Sequence, residues 1–193
     1  MKIDVFEKCP ILENDTFLIR FIEQKDAEDL LKVYSDKFAL PFFNSDNCHG
    51  SNFYITNIQD MENTIFYWLK EYYEYKGFVR FSIVDKKRNQ VVGTIEIFKR
   101  TANDFFNECG LLRIDVGSSL ETSDVLKSIF SLVSIPFMQW FDCNMIATKA
   151  PIYAVERIKA LSQAGFVKSD QSLIGHDGTY YYDYWIQKIE SLQ

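Results

Sequence analysis

The sequence lacks the features of a metal-binding, disulfide-bonded or membrane-spanning protein. Its four cysteines lie far apart without a CxxC pair, and neither of its two histidines stands at metal-ligand spacing. We therefore expect reduced, mostly packed thiols and no metal. No run approaches the ~20 apolar residues of a membrane-spanning helix, and acidic residues near the amino terminus argue against a signal peptide. These observations predict a cytoplasmic protein with no membrane partner.

Clustered basic residues and flexible linkers are also missing. The net charge is -6 and the isoelectric point is near 5.0, so the chain has no electrostatic footprint for nucleic acid. Hydrophobic residues make up 47% and charged residues 25%, ordinary values for a globular protein. Because no stretch rich in Pro, Gly or Ser divides the 193 residues, we expect one mixed domain over 1–193.

The spacing of apolar residues predicts the element order β-α-α-β-β-β-α-β-α-β-β. A first helix is expected to open at 23–26, a second covers 59–76, and a third opens with a capping box at 118–121 and ends near 134, before Pro136. The fourth helix covers 154–164. The predicted strands are 16–22, 78–84, 91–98, 111–116, 145–148, 166–173 and 179–187.

Three stretches carry a resemblance to the GNAT acetyltransferases, especially to the branch that acetylates ribosomal-protein N-termini. The opening strand and helix of that family are similar to "LIRFIEQKDAEDLLKVYSD", and its closing helix is similar to "AVERIKALSQAGFVKSD". The central hairpin resembles "FSIVDKKRNQVVGTIEIF". The resemblance implies an α+β fold, the GNAT acyl-CoA N-acyltransferase fold, with a central, mostly antiparallel mixed sheet flanked by helices.

The resemblance also implies acetyl-CoA as cosubstrate, bound in the gap between strands 111–116 and 145–148, which separate at their C-terminal ends. Backbone N–H groups at the start of the next helix would hold its pyrophosphate. By resemblance, the cofactor-binding positions are Val116, Gly117, Ser118, Ser119, Leu120, Glu121 and Thr122.

The chain departs from the family at these positions. The family's loop is Q/R-x-x-G-x-G/A, whereas this chain reads "VGSSLETSDVLKS", without the basic residue or the paired glycines. In the closing helix Ala154 and Arg157 replace the usual Asn and Ser, and Leu161 replaces a common acid tyrosine. We expect Glu121 and Asp124 in the first helical turn to weaken acetyl-CoA binding.

Acyl transfer to an amine needs a base, an acid and an oxyanion donor. Glu96 and Asp115 are the carboxylates on predicted central strands, and either can be the base. Tyr153, before the closing helix, is the first candidate acid, and residues 180–182 are further tyrosines. The backbone N–H after Val116 is the expected oxyanion donor.

Two functions remain open at this point. The first is an acetyl-CoA-dependent N-acetyltransferase acting on a peptide N-terminus or small amine, with the aromatic-rich segment 38–54 bordering the acceptor groove. The alternative is a catalytically impaired GNAT-fold binding or interaction module. A homodimer is compatible with either, through the apolar run 134–141. His49 and His176 show no triad spacing with a serine and an aspartate, so a hydrolase is a weak alternative.

Overall fold

A computed structural model describes residues 4–189 of the protein. Within this range, eight strands form one sheet in the order β1-β2-β3-β4-β5-β6-β10-β7, and β8 pairs with β9 separately. The strands are β1 (Leu12–Glu13), β2 (Phe17–Phe21), β3 (Val79–Asp85), β4 (Gln90–Arg100), β5 (Cys109–Val116), β6 (Met145–Lys149), β7 (Val167–Lys168), β8 (Leu173–Ile174), β9 (Tyr180–Tyr181) and β10 (Tyr184–Lys188).

The helices lie on both faces of this sheet. They are α1 (Ala27–Tyr34), α2 (Ile58–Lys70), α3 (Ser123–Trp140) and α4 (Val155–Gln163), with short 3-10 turns at Gln24–Asp26, Leu40–Phe42 and Ser118–Leu120. The expected mixed, mostly antiparallel sheet flanked by helices is confirmed.

One parallel pair interrupts the antiparallel order, between β5 and β6. Its ladder joins Gly110, Leu111 and Leu112 to Ile146, Ala147 and Thr148. Residues 113–116 of β5 lie beyond the end of this ladder, so the two strands separate toward their C-terminal ends. The predicted gap between these strands is confirmed.

Alternation along the central strands gives the sheet one apolar and one polar face. Phe81, Ile95 and Ile114 point into the core that also contains the buried side of α3. The opposite face carries polar and charged side chains beneath α1 and α2, where Tyr34 and Trp68 contact them. The polar face is therefore enclosed between the sheet and these two helices.

The third helix differs from its predicted bounds at both ends. It begins at Ser123, because the 3-10 turn Ser118–Leu120 and a non-helical Glu121 precede it. It also continues through Pro136 to Trp140, since Phe137 and Met138 pack into the core and hold the helix in place. The apolar run 134–141 is thus largely used in this chain's own core.

Smaller differences occur at two other places. The second helix gives way after Lys70 to a π-helical turn over Glu71–Tyr75, and it stops at Lys76, whose φ of 51° is left-handed, rather than at Gly77. The predicted strand 166–173 divides into β7 and β8, and 179–187 divides into β9 and β10. Within residues 4–189, no helix combines the length and the apolar character needed to cross a bilayer.

Candidate active site

A row of charged side chains crosses three adjacent strands on the polar face. Arg80 in β3, Glu96 in β4 and Arg113 in β5 stand opposite one another in the ladders. Glu96 Oε2 accepts a hydrogen bond from Arg80, and Arg113 Nη1 lies 3.0 Å from Glu96 Oε1. Arg80 and Glu96 are almost fully buried. Glu96, one of the two predicted bases, is therefore held by a guanidinium on each side.

Asp115, the other predicted base, lies two residues along β5 in a second row with Ser82 and Thr94. Its Oδ2 accepts a 2.9 Å hydrogen bond from the Tyr34 hydroxyl and lies 3.4 Å from Arg80 Nη1. Its Oδ1 is buried without a hydrogen-bond partner in the described range. Burial raises the pKa of Asp115 above its ordinary value, although Arg80 opposes the shift. Such a carboxyl is better suited to hold a proton than an exposed one.

A cavity of about 480 Å³ opens over the first of these rows. Its lining includes Trp68, Phe98, Glu96, Arg113 and His176. Arg113 directly follows Leu112, the last β5 residue in the ladder with β6. Arg113 is therefore shared between the cavity lining and the part of β5 that lies beyond the ladder with β6.

The aromatic-rich segment contributes to this region only in part. Phe53 lines the cavity, and Tyr54 lines a neighbouring groove along α2. By contrast, Phe43 packs against the Tyr34 ring, Phe42 against the Tyr153 ring, and Phe38 is exposed.

The structure does not bring Tyr153 to this cavity. Its side chain is 59% exposed, and its hydroxyl donates a 2.7 Å hydrogen bond to the Pro41 carbonyl. It lines a separate cavity of about 270 Å³ together with Asp46 and Lys149. Tyr153 is thus separated from Glu96 and Asp115, and its predicted acid role remains a prediction.

Sequence reasoning missed Asp46, which holds the 43–53 segment over β5 and β6. Its carboxylate accepts hydrogen bonds from Lys149 at 2.7 and 2.9 Å and from the Tyr184 hydroxyl at 3.0 Å. Arg113 also donates to the Asp46 carbonyl at 2.7 Å. Asp46 lies in an irregular segment, where no periodic pattern could have indicated its burial.

Several predicted cofactor-binding positions follow β5, but their N–H groups already have acceptors. Gly117 N–H, the predicted oxyanion donor, donates to the Val92 carbonyl at 3.3 Å. Ser118 N–H donates to Asp36 Oδ2 at 2.8 Å, and Leu120 N–H to the Gly117 carbonyl at 2.9 Å. Although burial acts to raise it, hydrogen bonds from Ser118 hold the pKa of Asp36 below its ordinary value.

Two of the remaining positions also have N–H groups that already donate to carbonyls. Glu121 and Thr122 N–H donate to the Ser118 and Leu120 carbonyls, and Val116 is buried in the sheet core, whereas Ser119 is exposed. Most backbone N–H groups of this loop therefore already donate hydrogen bonds to acceptors of the same chain.

The sequence predicted Glu121 in the first turn of the third helix, and this prediction is wrong because Glu121 precedes α3. Its carboxylate is buried against Arg157 of α4, with Nε to Oε1 at 2.6 Å and Nη2 to Oε2 at 2.8 Å. Arg157 Nη1 also donates to the Ile114 carbonyl at 2.9 Å. Asp124, in contrast, is exposed in the first turn as expected.

Comparison with known proteins shows the same fold in solved acetyltransferase structures. The ribosomal-protein-S5-alanine acetyltransferase from Vibrio fischeri is 16% identical with a TM-score of 0.65, over 92% of this chain and 94% of that one. RimL, a ribosomal L7/L12 alpha-N-protein acetyltransferase in complex with coenzyme A, is 11% identical with a TM-score of 0.68, over 93% and 98%. An AAC(6')-Ib structure with paromomycin and acetyl-CoA is 10% identical with a TM-score of 0.62, over 90% and 94%.

No family model and no curated protein sequence matches the chain. The structural likeness nevertheless extends over more than nine-tenths of it in the first two comparisons. The chain has the fold of the GNAT acetyltransferases, which confirms the resemblance drawn from the sequence.

Proposed function

We propose that this protein is an N-acetyltransferase that moves an acetyl group from acetyl-CoA to a peptide N-terminus or a small amine. One observation carries the proposal: the cavity beside Glu96 is also lined by Arg113, the first β5 residue beyond the ladder with β6. An amine lying in this cavity would thus be next to the part of β5 that borders the expected cosubstrate gap.

The chemistry in the cavity would be proton removal from the incoming amine. Glu96 lines the cavity, whereas Asp115 lies behind it, linked to Tyr34 and Arg80. Because both Glu96 oxygens already contact guanidinium groups, its main contribution is to fix the positions of Arg80 and Arg113. Burial raises the pKa of Asp115, so this carboxyl can store a proton within the polar layer.

In the observed conformation, the side chains of Arg157 and Glu121 leave no room for acetyl-CoA in the gap. Arg157 and Glu121 fill the space beyond the ladder, and several loop N–H groups have other acceptors. Productive binding requires movement of Arg157.

Release of the CoA thiol provides a direct test. Purified protein is incubated with acetyl-CoA and one amine at a time. The amines are peptides that begin with alanine or serine, an aminoglycoside and simple primary amines. Amine-dependent thiol release, with mass spectrometry showing an acetylated amine, supports the proposal. Thiol release at the background rate for every amine, at millimolar acetyl-CoA, contradicts it.

The filled gap specifically favours a second candidate, a GNAT-fold binding module without efficient CoA chemistry. In that case the cavity would bind a peptide or aromatic ligand among Trp68, Phe53 and Phe98. Amine-dependent release of the CoA thiol separates the two candidates, because only the transferase acetylates an amine, and a CoA species retained in the natively purified protein would further support the transferase.

A further inference from the structure

The pair formed by Arg157 and Glu121 lies inside the gap between β5 and β6. Arg157 is 1% exposed although it is an arginine on the short helix α4. Its Nη1 donates to the carbonyl of Ile114, a β5 residue beyond the end of the ladder with β6. The guanidinium thus binds β5 at a point where the ladder with β6 has ended.

The geometry explains why a long side chain is needed here. A buried backbone carbonyl that loses its strand partner requires another donor. Ile114 is 1% exposed, and Arg157 supplies that donor. Glu121 in turn binds the rest of the guanidinium through two hydrogen bonds, so that the charge is compensated within the protein.

Carboxylates accept hydrogen bonds from two backbone N–H groups in the segment that follows β5. Asp36 accepts from Ser118 N–H, and Glu156 accepts from Ser123 N–H at 2.8 Å. The hydrogen bond from Ser123 holds the pKa of Glu156 below its ordinary value. These donors, before and at the start of α3, are of the kind that bind phosphate at a helix N-terminus. Here they bind the chain's own acids.

We propose that the Arg157–Glu121 pair occupies the place of the acyl-CoA arm and thereby sets the affinity of this protein for CoA. This inference rests on the proposed function, because it takes an acyl-CoA thioester as the ligand of the gap. The ligand enters only after Arg157 leaves both Ile114 and Glu121. The pair is a determinant of cosubstrate binding that acts before any chemistry.

Calorimetric titration with CoA tests the proposal on the full chain. The double variant Glu121→Ala/Arg157→Ser removes both charges and opens the gap, and we expect it to bind CoA at least tenfold more tightly than the unmodified protein. The variant Glu121→Met/Arg157→Met removes the charges but keeps the gap filled, and its affinity should stay close to the unmodified value. The control Glu13→Ala/Lys86→Ser removes an exposed pair with the same change in charge, and CoA binding should not change.

Two results would overturn the proposal. One is a folded Glu121→Ala/Arg157→Ser variant that binds CoA no more tightly than the unmodified chain. The other is an equal gain in the Met/Met variant, because charge rather than filled space would then limit binding.

A second measurement does not depend on the variants folding. In the unmodified protein labelled with 15N-arginine, the Nε–H signal of Arg157 is expected to shift or disappear as CoA is added to saturation. A signal that stays in place when other signals show saturation excludes the displacement. If opening the gap raises CoA affinity but neither protein acetylates any amine, the proposed function fails and this inference stands. If the unmodified chain binds CoA with a submicromolar Kd and acetylates an amine, the proposed function stands and this inference fails.

Discussion

The hydroxyl of Tyr34 donates a 2.9 Å hydrogen bond to Asp115 Oδ2 in the polar layer between helix and sheet. Tyr34 also lies 2.7 Å from Thr94 Oγ1, and its side chain is fully buried. A single side chain of α1 therefore fixes the orientation of a carboxyl on β5, far away in the sequence. This contact links the stability of the fold to the protonation of the candidate site.

Replacing Tyr34 by phenylalanine should destabilise the protein by about 1–3 kcal/mol, because two buried polar groups lose a partner while the ring remains. Urea denaturation measures the change. The matched control is Tyr180→Phe, which removes the hydroxyl of an exposed tyrosine and should leave the unfolding midpoint unchanged. An unchanged midpoint for Tyr34→Phe would show that the contact contributes nothing to stability.

Replacing either predicted base should lower activity if the protein is an acetyltransferase. We expect Glu96→Gln or Asp115→Asn to reduce kcat/KM for the amine by about a hundredfold or more at neutral pH. Glu28→Gln, on the exposed side of α1, serves as the control. Unfolding must be measured alongside, because Glu96→Gln leaves Arg80 and Arg113 without their shared counter-charge. Full activity in both folded variants leaves the mechanism without its proposed base.

Asp26 should make stability depend on pH in the acidic range. Although burial acts to raise it, hydrogen bonds from Arg20 and Ser82 hold the pKa of Asp26 below its ordinary value. A carboxylate with a lowered folded-state pKa stabilises the protein above its unfolded pKa of about 3.9, and this contribution is lost as the pH falls through the folded pKa.

Asp26→Asn should therefore lower the free energy of unfolding at pH 7 by about 2–4 kcal/mol. It should also flatten the change in stability between about pH 5 and pH 3. Denaturation at a series of pH values checks both effects, with the exposed Asp170→Asn as control. A pH profile parallel to that of the unmodified protein would show that Asp26 is not responsible.

The sequence predicted the order of the main elements and the separation of β5 from β6, because both follow from local periodicity and family resemblance. It could not predict the row of Arg80, Glu96 and Arg113, since this alignment depends on the register of three strands. The pairing of Glu121 with Arg157 was missed for a similar reason. The two residues lie far apart in sequence and meet only where the strands separate.

This contact changes one expectation about charge. If Glu121 stood free in the first turn of α3, its neutralisation would favour an incoming diphosphate. Because it compensates a buried Arg157, Glu121→Gln alone should instead destabilise the fold, by up to about 3–5 kcal/mol. Thermal unfolding of this variant beside Asp124→Asn, which changes an exposed acid, measures the difference.

The exposed acids around the loop lead to the final prediction. We expect the unmodified protein to bind CoA in the high micromolar range or more weakly, corresponding to about 5–6 kcal/mol. Asp124 and Glu156 each oppose a nearby diphosphate by about 1 kcal/mol in water. The variant Asp124→Asn/Glu156→Gln should therefore gain at least about fivefold in CoA affinity at low salt. The gain should largely disappear in about 1 M salt, where the screening length is about 3 Å.

Calorimetric titration at both salt concentrations measures this gain in affinity, with Glu28→Gln/Asp170→Asn as a control of equal charge. An equal gain in that control would assign the effect to net charge rather than to the loop.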